Sequence, residues 1–401
     1  MSLAYSNKEE KLFNSNFLIL STASFLMFVS FYLLMPIIAM YTIEEFGASP
    51  TTAGYVVSSY IITALLMRPF SGYLVDKYNH RKFYIFTMAM FSLLMGGYII
   101  SNSIGALILT RVLLGTCFAI ATTAGSTLII DVLPSQRRSE GIGYYGAFVV
   151  LSMAVGPMLG LYLLDIFHYN GLFIMAILSS AIGFVLTLFV RTDDHKHSIA
   201  TQTNVKLLSF DRFFLKEATP IGTVMALIYF LNGAFMVYVS IYIKNSGLDI
   251  SSGNFFFLFA LGVITSRLLT GKALNQGKNF AVLVASIWMV IVGTTVFIYF
   301  LNEWTFLIAS VVLGAGFGGS GPAVQTLMID LVAHNRRGTA NSTYFIALDS
   351  GSGMGMLFGG YIASHFSYQA VYLVGLALVV IAFIFLKAYA QKDYILKSSK
   401  R

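Results

Sequence analysis

Arg111 and Asp349 are ionisable residues that stand inside apolar stretches long enough to cross a membrane. Such residues are costly in hydrocarbon and generally mark ion or substrate pathways. Asp349 lies about 16 Å into its stretch, where burial disfavours a charged carboxylate, and it is the candidate for a group that binds and releases a proton. Because arginine keeps its proton, Arg111 is expected to tune an acid or to bind an anion. The alternative for both residues is that they only satisfy hydrogen bonds between packed helices.

The elements that must position these residues are membrane-spanning helices. Of the 401 residues, 57% are hydrophobic and 10% are charged, whereas about a quarter of a soluble domain is charged. Apolar stretches of about 20 residues, the length that crosses the hydrocarbon core as a helix, recur along nearly the whole chain. We count twelve of them. The sequence therefore predicts an all-α membrane protein with twelve transmembrane helices.

Polar and glycine positions recur at an offset of 199 residues. Asp131 recurs as Asp330, and Arg68 recurs as Arg267. Two fused copies of one membrane unit are typical of secondary transporters. We expect two pseudo-symmetric six-helix halves joined by a charged cytoplasmic linker. The expected boundaries are 1–190 for the N-terminal bundle, 191–217 for the linker and 218–401 for the C-terminal bundle.

Basic residues gather in the connections on one side of the predicted bundle. The members of this set are Lys8, Lys11, Lys77, Arg81, Lys82, Arg137, Arg138, Lys278, Arg336 and Arg337. The connections of the other side hold one basic residue, Lys244. By the positive-inside rule, both termini are expected in the cytoplasm and the protein in the cytoplasmic (inner) membrane. The net charge of +8 follows from this topology and implies no nucleic-acid partner.

The segment from Arg68 to Lys82 follows the second apolar stretch. With Gly72, Asp76 and Arg81, it is similar to the cytoplasmic loop signature of the major facilitator superfamily, G-x-L-x-D-R-x-G-R-R/K. The resemblance extends over the whole chain. It implies two six-helix bundles that rock about a central site, with this loop as part of the inner gate.

Two positions depart from the loop signature. Asn79 stands where glycine is usual, and His80 stands where arginine is usual. Asparagine tolerates a left-handed backbone, so the turn is expected to survive. The loss of arginine weakens a charge relay through the loop. The second copy has Asn275 in place of Asp76, so we expect an asymmetric inner gate.

Two further segments are similar to motifs of the twelve-span drug:proton antiporter branch. Arg111 and Gly115 resemble the fourth-span motif of proton-coupled members. The fifth stretch resembles the antiporter motif G-x8-G-x3-G-P-x2-G-G, which is associated with exporters. Its matching residues are Gly143, Gly156, Pro157 and Gly160, while Ser152 replaces one glycine of the motif and Leu161 replaces the last. We expect these small residues to pack tightly between the halves and the proline to bend the helix.

An aspartate followed by paired arginines ends both the fourth and the tenth predicted spans. Asp131 precedes Arg137 and Arg138, and the spacing repeats from Asp330. These groups would lock the outward-facing state by bridging to the loop of Asp76. Helix capping and anchoring at the cytoplasmic surface are the alternative.

The resemblance implies that spans one, four, seven and ten line a central cavity. The candidate cavity residues on them are Tyr32, Ser126, Tyr229, Asn232, Met236 and Gln325. Ser126 and Gln325 are repeat equivalents and are expected to face one another across the pseudo-twofold axis. Aromatic and methionine surfaces suit varied apolar ligands. For any single aromatic residue, packing or lipid contact is the alternative.

These patterns predict a proton-coupled antiporter that exports a small amphipathic molecule or drug. The energy source would be the proton gradient, and we expect no cofactor, no metal and a monomer. The alternative is a proton-coupled transporter of a polar metabolite such as a sugar or organic anion, for which Arg111 would be a substrate ligand. An enzyme is not expected, since we find no P-loop, no metal-ligand cluster and no Ser/His/Asp set at a shared depth. A sensor would need a sizeable soluble output domain, which we do not find.

Overall fold

The computed structural model describes residues 13–133, 138–191, 215–247, 250–300, 302–332 and 337–398. Within these ranges the regular structure is helical, and there is no strand. The helices are α1 (Ser15–Phe46), α2 (Pro50–Lys77), α3 (His80–Met95), α4 (Gly97–Ile100), α5 (Ile104–Val132), α6 (Arg138–Leu188), α7 (Thr219–Ser246), α8 (Ser252–Asn275), α9 (Asn279–Tyr299), α10 (Glu303–Asp330), α11 (Arg337–His365), α12 (Tyr368–Phe385) and α13 (Gln391–Ser398). A 3-10 turn (Lys216–Ala218) precedes α7, and a π-helical turn (Leu386–Ala390) joins α12 to α13.

The helices account for the twelve predicted spans. Ten segments of the described residues are long and apolar enough to cross a membrane. One of them contains most of α6, a helix of 51 residues that holds two spans and breaks at His168, where φ is 54°. α11 is not among the ten, because it carries Asp349 and many glycine and serine residues, yet its 29 residues span about 43 Å. The predicted fold class is confirmed.

Polar caps set where the helices begin and glycines set where several end. The side chains of Ser49, Ser103 and Ser367 each accept a hydrogen bond from a backbone N–H in the first turn of the helix that follows. Gly47 and Gly247 close α1 and α7 in the left-handed region, with φ of 60° and 68°. These contacts satisfy helix-end groups that would otherwise be unpaired.

The 199-residue repeat is visible in the packing of glycines. Gly115 on α5 lies directly against the backbone carbonyl of Tyr60 on α2. Its repeat equivalent, Gly314 on α10, lies in the same way against the carbonyl of Phe259 on α8. Phe259 is itself the repeat equivalent of Tyr60. Each half therefore uses one glycine to bring two helices into backbone contact.

The glycines of the antiporter motif do not pack between the halves, which corrects the expectation from the sequence. Gly156 and Gly160 on α6 face the backbone of Leu33 on α1, within the N-terminal half. α6 continues through Pro157, and its non-helical residue is His168 instead. The surroundings of Gly143 lie outside what the structure describes.

α1–α6 form the N-terminal half and α7–α13 the C-terminal half. α1 packs on α6 and α2 on α5, while α7 packs on α11 and α8 on α10. The halves meet through α2 with α11, α6 with α8 and α1 with α7. Most of the linker lies outside the described residues, so the boundaries 1–190, 191–217 and 218–401 stay predictions.

Candidate transport site

Arg68 on α2 and Asp349 on α11 form an ion pair between the two halves. The Arg68 Nε donates to Asp349 Oδ2 at 2.8 Å. The guanidinium also lies over the ring of Phe345, 5.1 Å from its centroid. The two charged side chains are 19% and 11% exposed, so water reaches them only in part.

The depth of this pair follows from helix geometry. We call the end of the bundle where α1 begins (Ser15) and α2 ends (Lys77) the base, and the opposite end, with the α1–α2 turn at Gly47, the rim. At 1.5 Å per residue, Arg68 is about 13 Å and Asp349 about 18 Å from the base end of its helix. Both lie more than 20 Å, roughly, from the rim end by the same count. The pair therefore occupies the interior of the bundle.

Two tyrosines lie near the pair, and a third lies near these two. Tyr32 on α1 lies within electrostatic range of both Arg68 and Asp349. Tyr344 on α11 lies within range of Asp349 and of Tyr229 on α7. Tyr32 also lies within range of Tyr229. Of the predicted cavity residues, Tyr32 is thus brought close to the predicted proton-binding acid, and Tyr229 lies beside Tyr32 and Tyr344.

The other predicted cavity residues have more varied surroundings. Asn232 and Met236 on α7 are 7% and 4% exposed, buried within the packed bundle. Ser126 on α5 is exposed, and its hydroxyl donates to the Thr123 carbonyl at 2.9 Å. Gln325 on α10 is half-buried. That these four residues line a substrate path stays a prediction.

Arg111 is buried in the N-terminal half, with its own set of partners. Its guanidinium donates to the hydroxyl of Tyr98 at 3.1 Å and to the backbone carbonyl of Val57 on α2 at 2.8 Å. It also lies over the ring of Tyr60, 5.2 Å from the centroid. Arg111 is 1% exposed. The arginine that reaches Asp349 is Arg68, so Arg111 is placed to hold α2 against α5 rather than to contact the acid.

Arg267, the repeat equivalent of Arg68, stands in different surroundings. It lies on α8 within electrostatic range of Tyr229 and Tyr344. The hydroxyls of these two tyrosines converge on Gly321 of α10, 3.1 and 3.0 Å from the position that a Cβ would take there. The buried Nε of Arg267 has no hydrogen-bond partner among the described residues.

A polar link at repeat-equivalent positions joins two helices at the base of each half. His80 Nδ1 lies 2.7 Å from Asp131 Oδ2 in the N-terminal half. Asn279 Nδ2 donates to Asp330 Oδ2 at 3.4 Å in the C-terminal half. The histidine that departs from the loop signature therefore keeps the connection to an acid. The expectation of a weakened charge relay through the loop stays a prediction.

The remaining gating residues are described in part. Arg81 donates to the carbonyl of Leu188 at 3.2 Å, which ties α3 to the end of α6 within one half. Gly72, Asp76 and Arg138 lie in helices, but their side-chain positions are outside the structural description. The arginines at 137 and 336 lie outside the described residues altogether. A bridge from Asp131 to the loop of Asp76 thus runs through His80, and a lock between the halves at the base stays untested.

The halves are joined at the rim by polar contacts. Lys244 Nζ on α7 lies 2.7 Å from Glu44 Oε1 on α1. Tyr169 of α6 donates to the other carboxylate oxygen of Glu44 at 2.6 Å. The hydroxyl of Tyr162 on α6 donates to the side-chain oxygen of Asn254 on α8. Among the described residues, the polar links between halves therefore lie at the rim and at the Arg68–Asp349 level.

The sequence reading missed two intramembrane cations. It placed Arg68 in the gating loop and treated Arg267 only as its repeat equivalent. Both residues stand about eight or nine residues inside their helices, about 12–13 Å from the base end. That depth could have identified them from the sequence. An acid in the membrane interior requires a cationic partner, and these arginines lie deep enough in their helices to be candidates.

A helical bundle of two repeated halves, with charged groups where the halves meet, is the architecture of a secondary transporter. The sequence profile of the Major Facilitator Superfamily matches residues 20–286 and 277–400. The chain belongs to this family, as its motifs predicted. It is therefore a multi-pass membrane transporter and not an enzyme.

Two curated relatives are exporters or resistance proteins by name. The chain is 22% identical to the quinolone resistance protein NorA of Staphylococcus aureus (strain COL) over 386 residues, which cover 92% of this chain and 96% of NorA. It is 25% identical to the staphylopine export protein of Staphylococcus aureus (strain Mu50 / ATCC 700699) over 239 residues, 57% of this chain and 58% of that protein.

Solved structures share the fold at low identity. The nucleoside transporter NupG superposes with a TM-score of 0.74 at 16% identity, over 93% of this chain and 99% of NupG. The human organic anion transporter MFSD10 (TETRAN) superposes with a TM-score of 0.68 at 15% identity, over 92% and 98% of the two chains. These similarities show the fold alone and do not identify a substrate.

Proposed function

We propose that this transporter exports a small amphipathic molecule in exchange for protons, with Asp349 as the proton-binding group. The observation that carries the proposal is the Arg68–Asp349 ion pair, which joins α2 of one half to α11 of the other in the interior of the bundle. A carboxylate that binds a proton loses its attraction for the guanidinium. One protonation event at this place acts directly on the contact between the two moving halves.

The arrangement of contacts supports an alternating-access cycle. The halves are held together at the rim by Glu44 with Lys244, while His80 and Asp131 link helices of the same half at the base. We assign the base to the cytoplasm because the basic connections lie there. In this scheme the ionised Asp349 pairs with Arg68 after its proton has left toward the cytoplasm. Substrate then enters from the base, and a proton taken up from outside breaks the pair during return.

The direction of transport is supported by the relatives and by the fifth-span motif. NorA is named for quinolone resistance, and the second relative is named for staphylopine export. The resemblance of the segment around Gly156, Pro157 and Gly160 to the antiporter motif favours export as well. The basic connections at the base support a place in the cytoplasmic membrane with both termini inside.

Vesicles that contain the purified protein, an imposed pH gradient and a pH-sensitive dye test the proposal. Amphipathic substrates added to the wild type are expected to trigger proton movement, and Asp349→Asn is expected to abolish it. Asp393→Asn is the matched control, because Asp393 on α13 pairs with Lys397 of the same helix, 2.6 Å away. Substrate-triggered proton movement that survives in Asp349→Asn would refute the role of Asp349. Transport of sugars or organic acids to the exclusion of amphipathic compounds would establish the metabolite alternative.

A further inference from the structure

We infer that Arg267, with the hydroxyls of Tyr229 and Tyr344, binds an anionic group of the substrate, so that the exported molecules are amphipathic anions or zwitterions. The inference rests on the proposed function for its physiological meaning, since it names the class of molecule that the same pathway carries. It comes from the contrast between Arg68, Arg111 and Arg267, which lie well inside their helices, away from the helix ends.

Two of these arginines are compensated by the protein. Arg68 has a carboxylate partner in Asp349. Arg111 has a phenol, a backbone carbonyl and an aromatic face. A guanidinium in the membrane interior requires such partners, because its transfer from water is otherwise unfavourable.

Arg267 has no comparable compensation among the described residues. The groups that act on it electrostatically are the phenols of Tyr344 and Tyr229, and neither is a carboxylate. The buried Nε atoms of Arg267 and Arg111 both lack an acceptor, but Arg111 donates two hydrogen bonds from its other nitrogens and Arg267 donates none to the described residues.

The repeat explains why Arg267 lacks a carboxylate partner. Asp349 is the partner of Arg68, and the repeat equivalent of Asp349, 199 residues earlier, is Val150. The second copy of the arginine was retained while the equivalent acid is absent from the chain.

The three side chains occupy one level of the C-terminal half. Arg267 lies about 12 Å, Tyr229 about 15 Å and Tyr344 about 10 Å from the base end of its own helix. They come from three different helices, α8, α7 and α11, and the two hydroxyls converge on Gly321 of α10. A side chain at this point would meet both hydroxyls, so the glycine lets them approach α10 side by side.

The chemistry of the cluster selects an anion. A guanidinium offers N–H donors only, and a phenol donates its O–H readily to a charged acceptor. Carboxylate, sulfonate or phosphate oxygens match this set, and charge-assisted hydrogen bonds of this kind are the strong ones. The ring of Phe317 adjoins Tyr229, with the two centroids 5.9 Å apart, and Phe259 adjoins Phe317, so these rings supply an apolar surface beside the donors. A cation would find a like charge here.

Binding to the purified full-length protein in detergent tests the inference without any gradient. The probes are a series of aryl carboxylates and sulfonates, each paired with the ammonium compound of the same ring system, and binding is followed by thermophoresis. We expect the wild type to prefer the anions, Arg267→Gln to lose at least about tenfold in anion affinity, and Arg267→Lys to recover part of it. Lys272→Gln is the control, an exposed cation on the same helix.

The outcomes separate this inference from the proposed function. Equal or better binding of the ammonium series by the wild type would overturn it, and so would an anion preference that survives in folded Arg267→Gln. Thermal unfolding of each variant identifies those that fail to fold. If Arg267→Gln fails to fold, the anion affinity of Arg267→Lys is compared with that of the wild type instead. Anion selectivity without proton exchange in vesicles would sustain this inference and refute antiport. Proton exchange driven by cationic compounds alone would support antiport and refute this inference.

Discussion

Arg68 and Asp349 are separated by 281 residues in the chain and by 2.8 Å between Nε and Oδ2 in the fold. The pair is the one place among the described residues where a strong charge interaction crosses from α2 to α11 in the bundle interior. Each partner accounts for the presence of the other. The carboxylate offsets a guanidinium that is otherwise costly in hydrocarbon, and the guanidinium offsets the burial of the carboxylate.

The first prediction concerns the coupling within this pair. Arg68→Ala leaves a partly buried carboxylate without a partner and is expected to lower thermal stability more than the double variant Arg68→Ala/Asp349→Ala does. Removal of one partner of a fully buried pair costs about 3–5 kcal/mol, and we expect less here because both side chains are partly exposed. Thermal unfolding in detergent measures the effect. Strictly additive shifts in the double variant would show that the pair carries no coupling.

The second prediction separates Arg111 from proton coupling. Arg111→Ala removes a hydrogen bond from α5 to Tyr98 on α4, and a hydrogen bond and a cation–π contact that hold α5 to α2. We expect a loss of stability of about 2–4 kcal/mol, with the ratio of protons to substrate unchanged in the protein that folds. Unfolding midpoints and flux ratios in vesicles measure the two effects. A stable Arg111→Ala variant that transports substrate without moving protons would show that Arg111 takes part in proton coupling.

The third prediction concerns the contact at the rim. Lys244→Glu places two carboxylates against each other at Glu44 and is expected to shift the population toward a rim-open state. The reversed pair, Glu44→Lys with Lys244→Glu, should restore closure. The effect should be small, because Lys244 is 67% exposed and surface pairs contribute about 0–1 kcal/mol.

Spin labels at Gly105→Cys and Phe366→Cys, one in each half near the rim, report the change as a longer distance in Lys244→Glu. Added salt should reduce the difference, since exposed charges are screened within about 8–10 Å. An unchanged distance distribution in Lys244→Glu would rule out a part for this contact in closure.

The fourth prediction concerns the paired glycines of the repeat. Gly115→Ala and Gly314→Ala place a methyl group against the carbonyls of Tyr60 and Phe259, which are backbone atoms and cannot turn aside. Each is expected to cost about 1–3 kcal/mol and to displace the helix that carries Arg68 or Arg267.

Gly105→Ala is the matched control, since its Cβ would meet no atom within 4 Å. It should be neutral or slightly stabilising, as alanine favours helix over glycine. Thermal unfolding in detergent compares the three variants. If Gly115→Ala unfolds at the wild-type temperature, the close contact between α2 and α5 is not needed for stability.

Local properties of the sequence were sufficient for the architecture. Length and apolarity predicted the spans, the 199-residue offset predicted two similar halves, and the loop signature around Asp76 predicted the family. Asp349 was predicted because an acid in an apolar stretch can be recognised without knowing how its helix is rotated in the bundle. These inferences depend on composition and on spacing along one helix, which the chain carries directly.

The partners of the charged residues were decided by the tertiary structure. Asp349 pairs with Arg68 rather than with Arg111, His80 takes the place of an arginine beside Asp131, and Gly156 packs on α1 within its own half. Each contact depends on how helices far apart in the chain are rotated and how closely they approach. Hydropathy is nearly uniform around these helices, so periodicity does not fix their rotation. Side-chain packing between helices fixes the rotation. That packing pairs Arg68 with Asp349 and leaves Arg267 for the proposed ligand.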